Sequence, residues 1–224
     1  MSLFAMLSIV LGFSGALLIG LTLLFRMPVT DNHRIREEPV RTLKDAGFWR
    51  IAVFNGVMSV SMAYGLTYLL YAFLFYEEAA SPWRMLLEGV GILIAYDFLY
   101  YLVHRYPFHQ WNLLKKAHAV HHTVRYPTAY DSLYMHPVEN AIGLVLLMLC
   151  TFLVGPVSIY AFAGVFAIFS FLNILNHTGL DVPFFPFRTL SYLARKHDQH
   201  HVSMRSGNYA SITPLFDELF GTAE

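Results

Sequence analysis

Residues 1–25 contain no charged side chain, and this apolar run ends only at Arg26. At a rise of about 1.5 Å per residue, a helix of this length crosses the roughly 30 Å hydrocarbon layer of a bilayer. No basic residue precedes the run, as one would in a secretory signal, so we expect a retained membrane helix. Two similar runs follow at 51–76 and 85–103, the latter interrupted by only two acids. The chain is therefore predicted to fold as an integral membrane protein.

A fourth apolar region, 141–175, is too long for one helix. The Gly155-Pro156 pair near its middle is typical of a turn, which predicts a hairpin of two helices. The first arm, 141–154, has only 14 residues, so we expect it to dip into the bilayer or to tilt. The predicted fold class is all-α: a bundle of about four transmembrane helices, the last pair forming a hairpin, within one domain that covers 1–224.

The composition agrees with a membrane protein and excludes several other classes. Only 13% of the residues are charged, against roughly 25% in soluble chains, and 56% are hydrophobic. The net charge is zero, so the basic surface of a nucleic-acid-binding protein is absent. Cys150 is the single cysteine, which excludes a disulfide framework.

The basic residues predict an orientation, because Lys and Arg are retained on the cytoplasmic side of a membrane. We assume that the N-terminus is outside, that the first three helices each cross the membrane, and that the hairpin enters and returns to the same side. In this topology, 14 of the 15 basic residues are cytoplasmic and only Arg84 is not. A bacterial inner membrane or an ER-type membrane would fit this topology. The 14 residues are Arg26, Arg34, Arg36, Arg41, Lys44, Arg50, Arg105, Lys115, Lys116, Arg125, Arg188, Arg195, Lys196 and Arg205.

Histidine is the unusual residue type, since the chain has 11 and ten of them follow residue 103. Six lie in two HxxHH patterns, HAVHH at 118–122 and HDQHH at 197–201. On a helix, positions i, i+3 and i+4 share a face, so each pattern predicts a fork of three imidazoles. Metals bind neutral imidazole, which makes such crowding favourable, whereas His33 stands alone in a charged loop and is expected to be solvated.

Eight or more imidazoles exceed what one ion can bind, so the pattern indicates two metals. Imidazole binds zinc, copper, iron and nickel alike. No cysteine lies near the histidines, and the HExxH pattern of zinc proteases is absent. A metal that faces lipid alkyl chains meets C–H bonds, whose activation needs a redox metal and dioxygen, so iron is the expected metal.

Four segments carry a family resemblance: DFLYYLVHRYPFHQWNLLKKAHAVHH at 97–122, MHPVEN, NHTG, and HDQHHVSMRSGNYASITPLFDELFGT. Over about 90–222 the chain resembles the fatty acid hydroxylase/sterol desaturase superfamily of integral membrane di-iron oxygenases. The resemblance implies a helical membrane bundle with a cytoplasmic, histidine-rich helical cap that carries two non-haem irons. It implies nine ligands: His104, His109, His118, His121, His122, His177, His197, His200 and His201.

Two features depart from the family pattern. His104 and His109 are five residues apart, about 140° around an ideal helix, so they would not share a face unless Pro107 kinks the chain between them. The tail reads Asn-Tyr-Ala where Asn-Tyr-Gly is usual, and Ala210 disfavours a positive φ. His136 matches a family motif, but its role stays open.

Further polar residues are candidates for supporting roles, because metal-bound imidazoles usually donate their second N–H to a carboxylate or a carbonyl. Asp97 lies two turns before His104 within an apolar run, and an acid there is costly unless paired or functional. Asp198 and Glu139 are further candidates. Asn173, one turn before His177, either completes a metal site, directly or through water, or makes a local hydrogen bond.

The expected function is oxygen-dependent hydroxylation or desaturation of a lipid. The chain shows no flavin, nicotinamide or cytochrome b5 signature, so electrons are expected from a separate ferredoxin, cytochrome b5 or reductase. Two alternatives remain. A bis-histidine haem electron-transfer protein would have histidines within the apolar runs, which contain none, and a membrane zinc-binding hydrolase would need no redox metal.

Overall fold

The computed structural model describes residues 1–36 and 46–224, so Arg41 and Lys44 of the predicted cytoplasmic set lie outside the described residues. Two short parallel strands, β1 (Phe75–Tyr76) and β2 (Val157–Ser158), accompany the helices. The α-helices are α1 (Leu3–Phe25), α2 (Ala46–Leu74), α3 (Pro82–Val103), α4 (Asn112–His121), α5 (Pro137–Val154), α6 (Ile159–Asn176), α7 (Arg188–His201) and α8 (Leu215–Leu219).

Five of these helices, α1, α2, α3, α5 and α6, are long and apolar enough to cross a membrane. The predicted helical membrane bundle is confirmed, with five candidate spans where about four were expected. The difference lies in α5, which begins at Pro137 rather than at Ala141. Proline fits the first turn of a helix, and the ring of His136 accepts a hydrogen bond from the Val138 N–H. The 18 residues of α5 are about 27 Å long, close to the thickness of the hydrocarbon layer.

Helices α5 and α6 form the predicted hairpin, and its turn lies at Gly155-Pro156. Gly155 has a φ of +103°, a conformation that side chains with a Cβ rarely adopt. Directly after this turn, β2 pairs with β1 at the end of α2.

Glu88 fixes the same end of the bundle. Its carboxylate accepts hydrogen bonds from the Ser158 N–H at 2.8 Å, the Tyr76 hydroxyl at 2.7 Å and the Arg84 guanidinium at 2.9 Å. This acid within the third apolar run therefore connects α3 to both strands.

The apolar core is formed where α1 packs along α6, and where α2 and α3 pack against α5. Leu7, Ile92, Leu147 and Phe162 are completely buried there. The opposite faces of these helices remain apolar and exposed, as a bilayer-facing surface requires; Phe13 of α1 and Leu69 of α2 are examples.

After α3 the chain continues into one π-helical turn, His104–Phe108, which contains Pro107. Proline cannot donate a backbone hydrogen bond, and the wider turn accommodates it. This turn brings His109 back beside His104, with ring centroids 5.1 Å apart, so the kink that the sequence allowed is present.

The segment 202–214, after α7, folds back against α3. Its one positive φ falls at Asn208, at +62°, and not at Ala210, so the alanine is compatible with this turn. Asp217 of α8 accepts hydrogen bonds from the Tyr209 and Ala210 N–H groups and pairs with Lys196 of α7 at 2.8 Å. This buried ion pair fixes the segment between α7 and α8.

Candidate metal centre

Nine histidines converge where the π-helical turn, the C-terminal end of α6 and helices α4 and α7 meet. Their nitrogens form two groups, and within each group the ligand atoms lie within 4.8 Å of one another. The first cluster contains five histidines and the second contains four. The first cluster is His104, His109, His118, His122 and His200; the second cluster is His121, His177, His197 and His201.

Each HxxHH pattern is divided between the two clusters. Helix α4 contributes His118 and His122 to the first cluster and His121 to the second; α7 contributes His200 to the first and the 197/201 pair to the second. The expectation that each pattern forms one three-imidazole fork is therefore wrong. The i and i+4 rings stay together, whereas the remaining ring of each pattern points to the other cluster.

The Nε2 atoms of neighbouring rings are very close. In the first cluster, His118 Nε2 lies 3.0 Å from the Nε2 atoms of both His104 and His122. In the second cluster, the Nε2 atom of His177 lies 3.2 Å from that of His121 and 3.0 Å from that of His197.

Seven of the nine Nδ1 atoms have protein partners at 2.6–3.1 Å. Six partners are backbone carbonyls, which can only accept, so those six rings carry their proton on Nδ1. The partners are the carbonyls of Tyr209, Met204, Tyr134, Asn173, Gly207 and Val124, for His104, His109, His121, His177, His200 and His201 respectively, and the Glu139 carboxylate for His118.

A neutral ring that donates from Nδ1 presents only a lone pair at Nε2. Two such lone pairs at 3.0 Å cannot hydrogen-bond to each other, so they repel unless a cation lies between them. Two nitrogens at ~2.1 Å from one ion and at right angles to each other are about 3.0 Å apart. The donor set and its spacing therefore fit a metal ion in each cluster, with Nε2 as the ligand atom.

Burial favours the neutral form of seven of these rings. Removal from water lowers the pKa of His109, His118, His122, His197, His200 and His201 below the ordinary histidine value, and neighbouring imidazoles lower most of them further. The same causes lower the pKa of His177 to about 3. Neutral imidazole is the form that a metal binds.

Among the candidate acids, only Glu139 contacts a ligand ring, at 2.8 Å from His118 Nδ1. The expectation that Asp97 partners a histidine is not met, because its carboxylate accepts hydrogen bonds from residues 211–213 of the C-terminal segment. Its influence on His104 is indirect, since the same segment provides the Tyr209 carbonyl. Asp198 belongs to neither cluster and pairs with Arg36 at 2.5 Å.

The remaining polar candidates lie around the clusters. Asn173 accepts a hydrogen bond from His177 through its backbone carbonyl, and the residue also lines a neighbouring cavity. His33 and His136 belong to neither cluster; the first lies beside Phe184 and the second caps α5.

A cavity of about 240 Å³ extends from the histidines between the membrane helices. Its apolar walls come from α1, α2, α3, α5 and α6, with Leu18, Val60 and Phe169 among the lining side chains. Three of the four rings of the second cluster line it, but only His104 of the first. An alkyl group in the cavity would therefore lie nearest the second cluster.

The sequence did not reveal the carbonyl groups that orient the rings, since a backbone contact has no residue-type signature. It also did not single out two polar residues that line the cavity, Ser132 and Asn176. Both residue types are common at helix ends, so only their burial in the folded chain distinguishes them.

Taken together, the apolar helices and the paired histidine clusters define an integral membrane protein with two adjacent polyhistidine sites. The fatty acid hydroxylase family model matches residues 89–222, more than half of the chain. The chain therefore belongs to the fatty acid hydroxylase family. This finding confirms the resemblance that the histidine motifs indicated.

The proteins that the chain is similar to include an aldehyde decarbonylase and a methylsterol monooxygenase. The chain is 30% identical to a very-long-chain aldehyde decarbonylase of Oryza sativa subsp. indica over 163 residues, 66% of this chain and 25% of that protein. It is also 30% identical to methylsterol monooxygenase 1 of Rattus norvegicus, over 66% of this chain and 50% of that protein. The chain thus spans between a quarter and half of the length of these relatives. No solved structure matches it.

Proposed function

We propose that this chain is a membrane oxygenase that binds two non-haem irons, one in each cluster, and hydroxylates or desaturates a lipid with dioxygen and external electrons. The observation that carries the proposal is the placement of two buried sets of Nε2 lone pairs beside an apolar cavity between membrane helices. The family supports lipid oxidation, since its members include a methylsterol monooxygenase.

Bound iron would supply the redox chemistry that activates dioxygen toward a C–H bond. Hydroxylation inserts one oxygen atom into that bond and releases the other as water, which consumes two electrons and two protons. Desaturation removes two hydrogen atoms from the lipid and, with the same two external electrons and two protons, releases both oxygen atoms as two water molecules. The chain's own residues hold the metals, position the lipid and exclude water.

The residues around the centre divide these tasks. The Nδ1 partners, with Glu139 as the one side chain among them, fix the tautomer and orientation of the ligand rings. Apolar lining side chains such as Leu144 and Phe169 hold an alkyl chain and keep the site dry. Asn173 lines the cavity one turn before His177, which supports its role as a further ligand there, directly or through water.

The proposal includes an orientation and a partner. The histidine sites lie on the cytoplasmic face, with the N-terminus outside, of a bacterial inner or ER-type membrane. The distribution of basic residues supports this orientation. A separate ferredoxin, cytochrome b5 or reductase delivers the electrons, and 1–224 acts as one membrane domain with its family core at about 90–222.

Metal analysis and lipid analysis test the function together. Protein purified without oxygen should contain two irons per chain, and cells that express it should accumulate a lipid that has gained one oxygen atom from labelled O2 or lost two hydrogens. His200→Ala should lose iron and product together, whereas His33→Ala, outside both clusters, should keep both. A preparation with one zinc and no iron, or with the Soret band of haem, would contradict the proposal.

A further inference from the structure

Helix α2 holds the chain on both sides of Tyr134. The buried Asn55 Nδ2 group donates hydrogen bonds to the Leu133 carbonyl at 2.9 Å and to the Met135 carbonyl at 2.7 Å. Carbonyl oxygens only accept, so the orientation of the amide is determined and both of its N–H groups are used. The ring of Tyr134 itself stacks on Phe48, also of α2, with ring centroids 4.7 Å apart. Both the backbone and the side chain of this segment are therefore attached to one membrane helix.

The carbonyl between these two hydrogen bonds orients a ligand of the second cluster. His121 Nδ1 donates to the Tyr134 carbonyl at 3.1 Å, and the Nε2 atom of the same ring lies 3.2 Å from that of His177. The imidazole is rigid, so a movement of the carbonyl that Nδ1 follows also moves or turns Nε2. The hydrogen bonds of Asn55 thus reach the ligand atom through one carbonyl and one ring.

Helix packing alone does not account for the amide of Asn55. The side chain is 1% exposed, and its Oδ1 atom has no hydrogen-bond partner among the described residues. An unpaired amide oxygen inside a membrane bundle is unfavourable, whereas a leucine of similar size has no such cost. One turn later, Ser59 Oγ already joins α2 to α5 by accepting from Asn140 Nδ2 at 2.9 Å. The distinctive contribution of Asn55 is therefore its pair of N–H donors.

We propose that Asn55 is a positioning residue of the second cluster, because it fixes the Tyr134 carbonyl that orients His121. The next residue of α2, Gly56, lines the lipid cavity, so one helix both forms a wall of the cavity and sets the direction of a ligand ring. This role of Asn55 rests on the proposed function only for metal binding at the second cluster. Neither the identity of the metal as iron nor the oxidation of a lipid enters it.

Metal binding to the metal-free full chain in lipid nanodiscs tests this role. Co²⁺ is the probe, and competition with a chelator measures the affinity of each of the two bound ions. Asn55→Leu keeps the size of the side chain but removes both donors. One of the two Co²⁺ ions should then bind ten- to a hundredfold more weakly, as is typical when a partner that orients a ligand is lost. The other ion should keep its affinity.

Two histidine backgrounds show whether Asn55 acts on the second cluster. His109→Ala leaves the second cluster complete, so Asn55→Leu should weaken one Co²⁺ ion by the full ten- to hundredfold there. His121→Ala removes the ring that Asn55 positions, and the metal that remains is in the first cluster. In this background Asn55→Leu should change the remaining affinity less than twofold. A general loss of packing would weaken binding in both backgrounds alike.

Control variants separate positioning from stability. Ser59→Ala removes a hydrogen bond one turn away on α2 that does not reach 133–135, and should keep both affinities. Leu7→Ala opens a cavity in the core of α1 and should lower the melting temperature without changing either affinity. Asn55→Gln retains both donors and should bind Co²⁺ more tightly than Asn55→Leu. If Asn55→Leu does not fold, Asn55→Ser, whose hydroxyl has a single proton to donate, should show the same selective loss.

The outcomes separate this role from the proposed function. Unchanged affinities in a folded Asn55 variant, or equal weakening of both ions, would overturn the role of Asn55 and leave the oxygenase proposal intact. Absence of Co²⁺ from the second cluster of the native chain would overturn both. A selective, Asn55-dependent Co²⁺ site in a chain that holds no iron and oxidises no lipid would overturn the oxygenase proposal alone.

Discussion

Replacement of Asp97 should release the C-terminal segment and empty the first cluster. Asp97 is 1% exposed, and its two carboxylate oxygens accept four hydrogen bonds. The donors are the backbone N–H groups of Ser211, Ile212 and Thr213, at 2.8–3.1 Å, and the Thr213 hydroxyl, at 2.6 Å. The same segment includes the Tyr209 carbonyl, which orients His104.

The expected magnitude follows from these four donors. Asp97→Ala leaves the buried Ile212 N–H without an acceptor, at a cost of about 1–3 kcal/mol. Ser211 and Thr213 are partly exposed and recover part of their bonding from water, so we expect a total loss of roughly 2–4 kcal/mol in unfolding free energy. Asp97→Asn keeps one acceptor oxygen and should have about half this effect.

Iron content measured in a His121→Ala background shows which cluster loses its metal when Asp97 is replaced. His121→Ala removes a ligand of the second cluster, so the iron that remains should be in the first. Addition of Asp97→Ala should then remove this iron too, because misoriented ligands typically lose ten- to a hundredfold in metal affinity. Asp31→Ala, at an exposed acid, is the control and should change neither iron content nor thermal stability. Unchanged iron content and melting temperature in Asp97→Ala would refute the reasoning.

Three further predictions test the rest of the structure. His121→Ala leaves three imidazoles in the second cluster, whereas His109→Ala leaves four in the first. Total iron should therefore fall further in His121→Ala than in His109→Ala. Equal losses of iron would contradict the division into clusters. Glu139→Gln should reduce metal affinity ten- to a hundredfold, measured by chelator competition, with the protein still folded. Gly179→Ala should lower the free energy of unfolding by about 1–3 kcal/mol, because φ at Gly179 is +66° and a Cβ there would lie 2.7 Å from a backbone oxygen. Gly164→Ala is the control, since its Cβ would meet nothing within 4 Å. Equal melting temperatures of the two variants would argue against this strain.

Local patterns predicted much of the fold. The uncharged runs located the membrane helices, and the Gly155-Pro156 pair located the hairpin turn, because both depend only on residues close in sequence. The histidine motifs located the residues that converge in the two clusters. The start of α5 was missed by four residues, since Pro137 and the cap by His136 extend it beyond the apolar run.

Contacts between distant residues could not be read in this way. The division of each HxxHH pattern depends on how α4 packs beside α7, which the spacing of one helix does not contain. Asp97 was placed near a histidine because they share a helix face, but its partners lie more than a hundred residues later. The cavity combines five helices, so no single segment indicated its polar lining residues Ser132 and Asn176.

The carbonyl partners of the ligand histidines have a consequence for mutational robustness. Six of the seven Nδ1 acceptors belong to the main chain, and no side-chain replacement removes a main-chain oxygen. Positions such as Met204 and Val124 are thus free to change residue type while they still orient a ring. An alanine scan would find Glu139 and pass over positions such as Met204. Deletions, insertions and prolines that change the backbone path would reveal them, so the ligand orientation is inherited through loop geometry more than through residue identity.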